Sequence, residues 1–416
     1  MLRQEILRQP GKLEQINRNI HQASPLLLTT LLLAAGLHKY LLLLRSDGGG
    51  DLLGADIPKA LMVLQGGNPY STQPWAAPYP PFHLLLIAGI ISLTNSLTSA
   101  STLLAISQNI RIVAILADVS VGLVIFLALR QRGLTGLQLI IPPSLFLVLP
   151  SISSTPYFWF HTDIFGYLIL ALSLLALTTR HYLTGSTLLA LATIFKLHPI
   201  LATPLLAIWL VKNQKPLQAL PSLLAMTAVL ALGLLLPLRI QGYQEAILGF
   251  NLSTGLGSGT YSFTIMTLFY AILPNTISLS LPLTTINIIW TAATTTLFLV
   301  ALATVWTRAK TLNPVQVILL GLLVWLLPLR QLYTHYIVWA AIPFLMRGRL
   351  KETITIAALL ELANTMAVWS WAIPPNPFPV MNTVYGFFAT SLAFLAWNSI
   401  ALVLVLRQVG SSLSHR

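Results

Sequence analysis

The sequence predicts an all-α fold: a polytopic membrane helical bundle of about twelve spans, with a long external first loop. Three observations predict it. Hydrophobic residues make up 56% of the chain, charged residues only 8%, and mean hydropathy is +0.80, whereas a soluble domain carries about 25% charged residues. The apolar runs are continuous rather than alternating and cover the whole chain. In lipid only helices and closed barrels satisfy their backbone groups, and continuous runs select helices. Short basic clusters separate the runs, which is the positive-inside pattern. That distribution, rather than nucleic-acid binding, accounts for the net charge of +13. The absence of cysteine excludes disulfides, thiolate metal sites and cysteine nucleophiles.

Residues 1–24 are polar and basic, too long for a signal n-region, and no A-x-A site follows the first apolar run. They read as a cytoplasmic segment ahead of an uncleaved membrane helix. Long spans are expected at 25–44, 107–129, 134–155, 160–179, 217–238, 284–306, 353–372 and 384–406. Shorter ones fall at 184–197, 199–211, 314–329 and 334–346, the first two of which read equally as one broken helix. The runs 84–93 and 263–274 are too short to cross and are expected at the interface. With that count and both termini cytoplasmic, most of the 23 lysines and arginines fall inside, including Arg130 and Arg132. Counting 84–93 as a span would move that pair outside, against the charge rule. The chain then forms one membrane domain over residues 1–416. Two long external loops result, 45–106 and 239–283, and long loops on a rigid scaffold are where function concentrates.

The first loop holds three of the ten acidic residues, Asp47, Asp51 and Asp56. Asp51 follows a glycine run with little steric cover. Leu52 to Gln65 reads as a short amphipathic helix starting near Asp56, with Pro58 in its first turn and Gly66-Gly67 ending it. A carboxylate at an apolar surface becomes a general base when burial raises its pKa. The same residue serves equally well as a helix cap or as a solvated charge. At the next external turn, His161, Thr162 and Asp163 follow an aromatic run, and Thr162 or Asp163 also suits an N-cap. Lys196 and His198 end a span, where a lysine either snorkels or neutralises a phosphate. Arg330, Tyr333, His335 and Tyr336 cluster in RQLYTHY, and Arg239 and Glu245 flank the second loop. Arg111 and Asp118, seven apart, share one helix face inside a span. Asp118 is expected to be structural and Arg111 ligand-facing. Glu361 stands alone in its span and is expected to be protonated or paired. No histidine set has metal-ligand spacing and no nucleotide glycine loop is present. No cofactor is therefore required, and a divalent metal is possible without being indicated.

An acidic residue in the first external loop, then GGNPY, then YPP, resembles the polyprenol-phosphate-sugar glycosyltransferases of the GT-C superfamily. The likeness is to bacterial and archaeal polyprenyl-phosphate-mannose-dependent mannosyltransferases and to the catalytic subunit of GPI mannosyltransferase I. RIVAILAD at 111–118, FHTDIFGYLILALSLL from residue 160 and FKLHPILATPLL from residue 195 resemble further stretches in the same order, over residues 30–240. The resemblance implies a lipid-phosphate hexose donor, mannose by family, and an acceptor hydroxyl on a lipid-linked glycan, a glycolipid or a protein. It implies inversion at an external site in a prokaryotic plasma membrane. By its position before GGNPY, Asp51 matches the catalytic aspartate. The GPI-type D-x-D pair is absent, which leaves the choice among Asp51, Asp47 and Asp56 open. Lys196, His198, Arg111 and Arg330 are then the donor-phosphate candidates, and His161, Asp163, Tyr70, Tyr79, Tyr333 and His335 the substrate-binding ones. The rival expectations are a transporter or flippase for a lipid-linked or anionic substrate, and a lipid-diphosphate-dependent ligase or polymerase of the same superfamily. The absence of a visible internal repeat weighs against the transporter.

Overall fold

The computed structural model describes residues 10–45, 52–71, 79–98, 102–153, 162–249, 283–326 and 334–371, with isolated positions between 396 and 404. Every regular element among them is helical. In chain order they are α1 (Pro10–Arg45), α2 (Ile57–Leu64), α3 (Pro81–Thr98), α4 (Leu103–Gln131), α5 (Leu137–Val148), α6 (Asp163–Thr178), α7 (Tyr182–Phe195), α8 (Ala202–Asn213), α9 (Pro216–Leu230), α10 (Leu283–Arg308), α11 (Pro314–Leu326), α12 (Thr334–Met346) and α13 (Leu350–Trp371). Segments 25–45, 81–98, 103–131 and 216–239 are long and apolar enough to cross a membrane. Several shorter apolar helices accompany them, and the fold is compatible with a membrane bundle. The run 263–274, expected at the interface, and the expected span 384–406 lie outside the described residues, apart from those isolated positions.

α6 occupies the centre. It packs against α4, α7, α11 and α12, and α7 in turn packs against α9 and α3. Gly166 on α6 permits this closeness. A Cβ there would lie 2.4 Å from the Trp339 ring on α12 and 2.9 Å from Phe195 at the end of α7. The core is mostly leucine, isoleucine and alanine, with Trp339 the largest fully buried side chain. Leucines such as Leu26, Leu33, Leu224 and Leu232 stay exposed on the outer helices, the surface a lipid-facing bundle presents.

Charges inside the bundle are matched. Asp118 on α4 forms an ion pair with Lys39 on α1, and both are fully buried. The structural role expected of Asp118 is thereby met. Glu361 on α13 accepts hydrogen bonds from the Ser151 amide and hydroxyl, so it is paired rather than isolated.

The run 84–93 lies within an eighteen-residue helix, α3, instead of a ten-residue surface piece. Pro81 opens the helix, and the hydroxyls of Thr94, Ser96 and Thr98 bond back to the Ile90, Leu93 and Thr94 carbonyls, so the polar end stays helical. By length and composition α3 falls in the spanning class. The segments 184–197 and 199–211 are two helices, α7 and α8, broken over 196–201. That break frees Lys196 and His198 from regular structure.

Candidate functional site

The first loop enters the bundle through a π-helical turn, Leu52–Asp56, that runs directly into α2. The sequence reading of this piece holds: Pro58 sits in the first turn, and Gly66 follows the last turn with φ of 76°, a conformation glycine adopts without penalty. α2 is tied down from behind. Lys59 Nζ donates to the Pro69 carbonyl at 2.6 Å, and the Tyr70 amide donates to Asn68 Oδ1 at 2.9 Å, closing an Asx turn. The Tyr70 hydroxyl donates to the Tyr79 carbonyl at 2.8 Å. Tyr70 also packs edge-on against Tyr243, with ring centroids 5.3 Å apart. Asn68 Nδ2 donates to the Gln241 carbonyl at 3.0 Å, so the start of the second long loop rests on the first. At that contact Gly242 has φ of 81°, and a Cβ would lie 2.3 Å from the Tyr70 carbonyl oxygen. The NPY segment and Tyr70 thus hold the loop in shape.

This support delivers Asp56 to the bundle, where it is buried. Its Oδ1 lies 3.2 Å from His83 Nε2 on α3, and its Oδ2 accepts from the Thr162 hydroxyl at 3.2 Å. Thr162 Oγ1 is also 3.2 Å from His83 Nε2, so the three groups form a closed triangle. The threonine makes no side-chain cap to α6, and its hydroxyl serves Asp56 instead of the N-cap role expected from its position. The His83 ring lies against Tyr79 (4.4 Å between centroids) and Phe195 (4.8 Å). Its other nitrogen, Nδ1, is buried without a hydrogen-bond partner.

A second set adjoins the first. Asp163, the residue after Thr162, accepts from Lys196 Nζ at 2.5 Å through Oδ2 and from Trp339 Nε1 at 3.0 Å through Oδ1. Both members of the ion pair are 2% exposed. Tyr79 joins the two sets, because Lys196 Nζ stands 4.4 Å above its ring centroid and its ring also lies against that of His83. Beyond Lys196, His198 accepts at Nδ1 from Trp325 Nε1 at 3.3 Å. Its ring lies 4.3 Å from that of Tyr336 and 5.5 Å from that of Trp339. Burial, against the opposing pull of Asp163, pushes His198 down to about 3. His198 is therefore a neutral imidazole whose Nε2–H is a donor. It can hydrogen-bond a phosphate oxygen, but it brings no charge.

Of the sequence candidates, the structure brings together Asp56, Tyr79, Asp163, Lys196 and His198. Asp47, Asp51, His161, Arg330 and Tyr333 lie outside the described residues, as does the His335 side chain; Asp51 directly precedes the turn that ends in Asp56. Arg111 is buried on α4, and Arg239 is exposed. Sequence reasoning missed His83, Trp325 and Trp339. A histidine two residues after YPP, at the mouth of an apolar run, is the one local signal that marks His83.

Chemically the arrangement offers a carboxylate with two buried hydrogen-bond partners, an imidazole with an open acceptor nitrogen, an ammonium compensated by one carboxylate, and aromatic faces around them. Lysine carries three donors, and the Asp163 bond uses one. Among the described residues no group of three or more histidine, aspartate or glutamate side chains is arranged to hold a metal. No protein-family model and no curated protein sequence matches the chain.

Proposed function

We propose that the chain is a membrane glycosyltransferase. It moves a hexose, mannose by resemblance, from a polyprenyl-phosphate donor to an acceptor hydroxyl at the external face, with inversion. One observation carries the reading: the carboxylate of the first external loop, Asp56, meets the Lys196–Asp163 pair of the bundle at a buried junction bridged by Tyr79 and Thr162. A carboxylate beside an ammonium is the minimum that an inverting displacement of a lipid phosphate needs. One group takes the acceptor proton and the other stabilises the leaving phosphate.

In this reading Asp56 supplies the base function of the loop in preference to Asp51, because it is the loop carboxylate held by buried partners. The lipid phosphate lies against Lys196 and the neutral Nε2–H of His198, and the hexose faces Tyr79. Asp163 orients Lys196 and keeps it from being an uncompensated buried charge. The aromatic walls exclude water, which limits loss of the donor to hydrolysis.

The test is purified protein in liposomes, given a panel of polyprenyl monophosphate and diphosphate hexoses with an alkyl mannoside acceptor. Transfer, or release of lipid phosphate, from the monophosphate donors alone is the expected result. Use of diphosphate donors alone would move the chain to a ligase or polymerase class. Translocation of the lipid across the bilayer without cleavage would make it a flippase.

A further inference from the structure

We infer that the proton acceptor of this site is His83 Nδ1, with Asp56 acting through the imidazole rather than on the substrate. This rests on the glycosyltransferase reading and refines which atom performs its first step.

The geometry assigns the tautomer. An ionised carboxylate offers only acceptors. His83 Nε2 stands 3.2 Å from Asp56 Oδ1, so Nε2 carries the hydrogen and donates it. Thr162 gives its hydroxyl hydrogen to the other carboxylate oxygen, Oδ2. Both Asp56 oxygens are then engaged with donors from protein groups. The polar atom of the trio that has no hydrogen-bond partner at all is His83 Nδ1, which is buried. A buried acceptor left unfilled is costly, and a substrate hydroxyl is the donor that fills it. The ring cannot turn freely away, because Tyr79 and Phe195 lie against it. An imidazole held by a carboxylate at one nitrogen and open at the other is the arrangement that activates hydroxyl nucleophiles on unrelated folds.

The step balances. The acceptor O–H bond breaks and its proton goes to Nδ1. The oxygen electron pair forms the new bond to the anomeric carbon. The bond from that carbon to the phosphate oxygen breaks, and the lipid phosphate departs with the electron pair toward Lys196. The imidazolium that forms is stabilised by Asp56 across the 3.2 Å contact, and it loses its proton to solvent when product leaves.

Two substitutions separate this from a structural role. His83→Gln keeps an amide N–H where Nε2 was, so Asp56 retains its donor, but no base remains at the Nδ1 position. His83→Asn places an amide near Nδ1 and withdraws the contact to Asp56. Wild type and both variants are compared in liposomes for kcat and donor KM with polyprenyl-phosphate mannose and an alkyl mannoside, with melting in detergent as the folding check. The inference expects kcat to fall roughly 100- to 10,000-fold in the Gln variant, with donor KM and melting unchanged. Should Gln fail to fold, the Asn variant carries the same expectation for kcat. A folded variant of either kind that turns over at the wild-type rate overturns the inference while leaving the glycosyltransferase reading intact. A wild-type protein that cleaves no polyprenyl-phosphate sugar overturns both.

Discussion

The Lys196–Asp163 pair gives the sharpest energetic prediction. Both side chains are 2% exposed, and the carboxylate is divided between Lys196 at 2.5 Å and Trp339 at 3.0 Å. Asp163→Asn keeps the size of the side chain and a hydrogen-bonding oxygen, but it leaves the buried ammonium without its hydrogen-bonded counter-charge. Breaking a buried pair from one side costs about 3–5 kcal/mol. Lys196→Met leaves Asp163 uncompensated and is expected to cost a similar amount. The double variant Asp163→Asn, Lys196→Met removes both charges and fills the volume of the lysine stem, so most of that loss is expected to return. Activity behaves differently: the two variants that lack Lys196 are expected to be inactive, because the phosphate has lost its cation, and Asp163→Asn is expected to be impaired, because Lys196 has lost the carboxylate that orients it. Reversible unfolding in mixed micelles measures the stabilities, and sugar transfer in liposomes the activities. A double variant no more stable than the weaker single variant would refute the reasoning that the pair is a mutually compensating buried unit. A double variant with full activity would remove Lys196 from the chemistry.

Gly242→Ala forces a Cβ to 2.3 Å from the Tyr70 carbonyl at a φ of 81°; a cost of about 1–3 kcal/mol and faster proteolysis near the contact between Gln241 and Asn68 are expected. Thr162→Val removes the donor to Asp56 Oδ2 and is expected to cost about 1.5–3 kcal/mol, as for hydrogen bonds to charged groups, with activity lowered and restored in Thr162→Ser. His198, which burial holds near 3, stays neutral in the fold while the unfolded chain takes up a proton once the pH drops below its ordinary value of about 6.5. Its contribution to stability is therefore full above that pH and is lost as pH falls from there toward 3, on the order of 1 kcal/mol per unit. In His198→Gln that acid-side loss is expected to shrink, as read from unfolding at successive pH values; an unchanged slope would contradict it.

The helices were legible because continuous apolar runs announce themselves in the sequence, as PVQVILLGLLVWL does at 314–326. α2 was legible from Pro58 and Gly66-Gly67, whose backbone preferences act locally. The length of α3 was not, because an apolar count stops near Ser92 and Asn95. The helix continues there on hydroxyl back-bonds that hydropathy does not register. Thr162 shows the limit of local pattern most clearly. Its position before an apolar run suits a cap, while its partner Asp56 lies 106 residues away. Lys196 and Asp163 are 33 residues apart, and only the turn between α6 and α7 brings them side by side. His83 has no metal spacing and no motif partner in the chain order, so its chemistry emerges only when α3 is folded against the first loop.

The measurement that bears most directly on the central claim is release of lipid phosphate from polyprenyl-phosphate mannose by wild type, Asp56→Asn and Asp51→Asn, side by side in the same liposomes. The account predicts release by wild type, a loss of roughly 100-fold or more in Asp56→Asn and substantial retention in Asp51→Asn, with all three folded and inserted. Full activity in Asp56→Asn together with loss in Asp51→Asn would move the essential carboxylate to the preceding aspartate and contradict the site described.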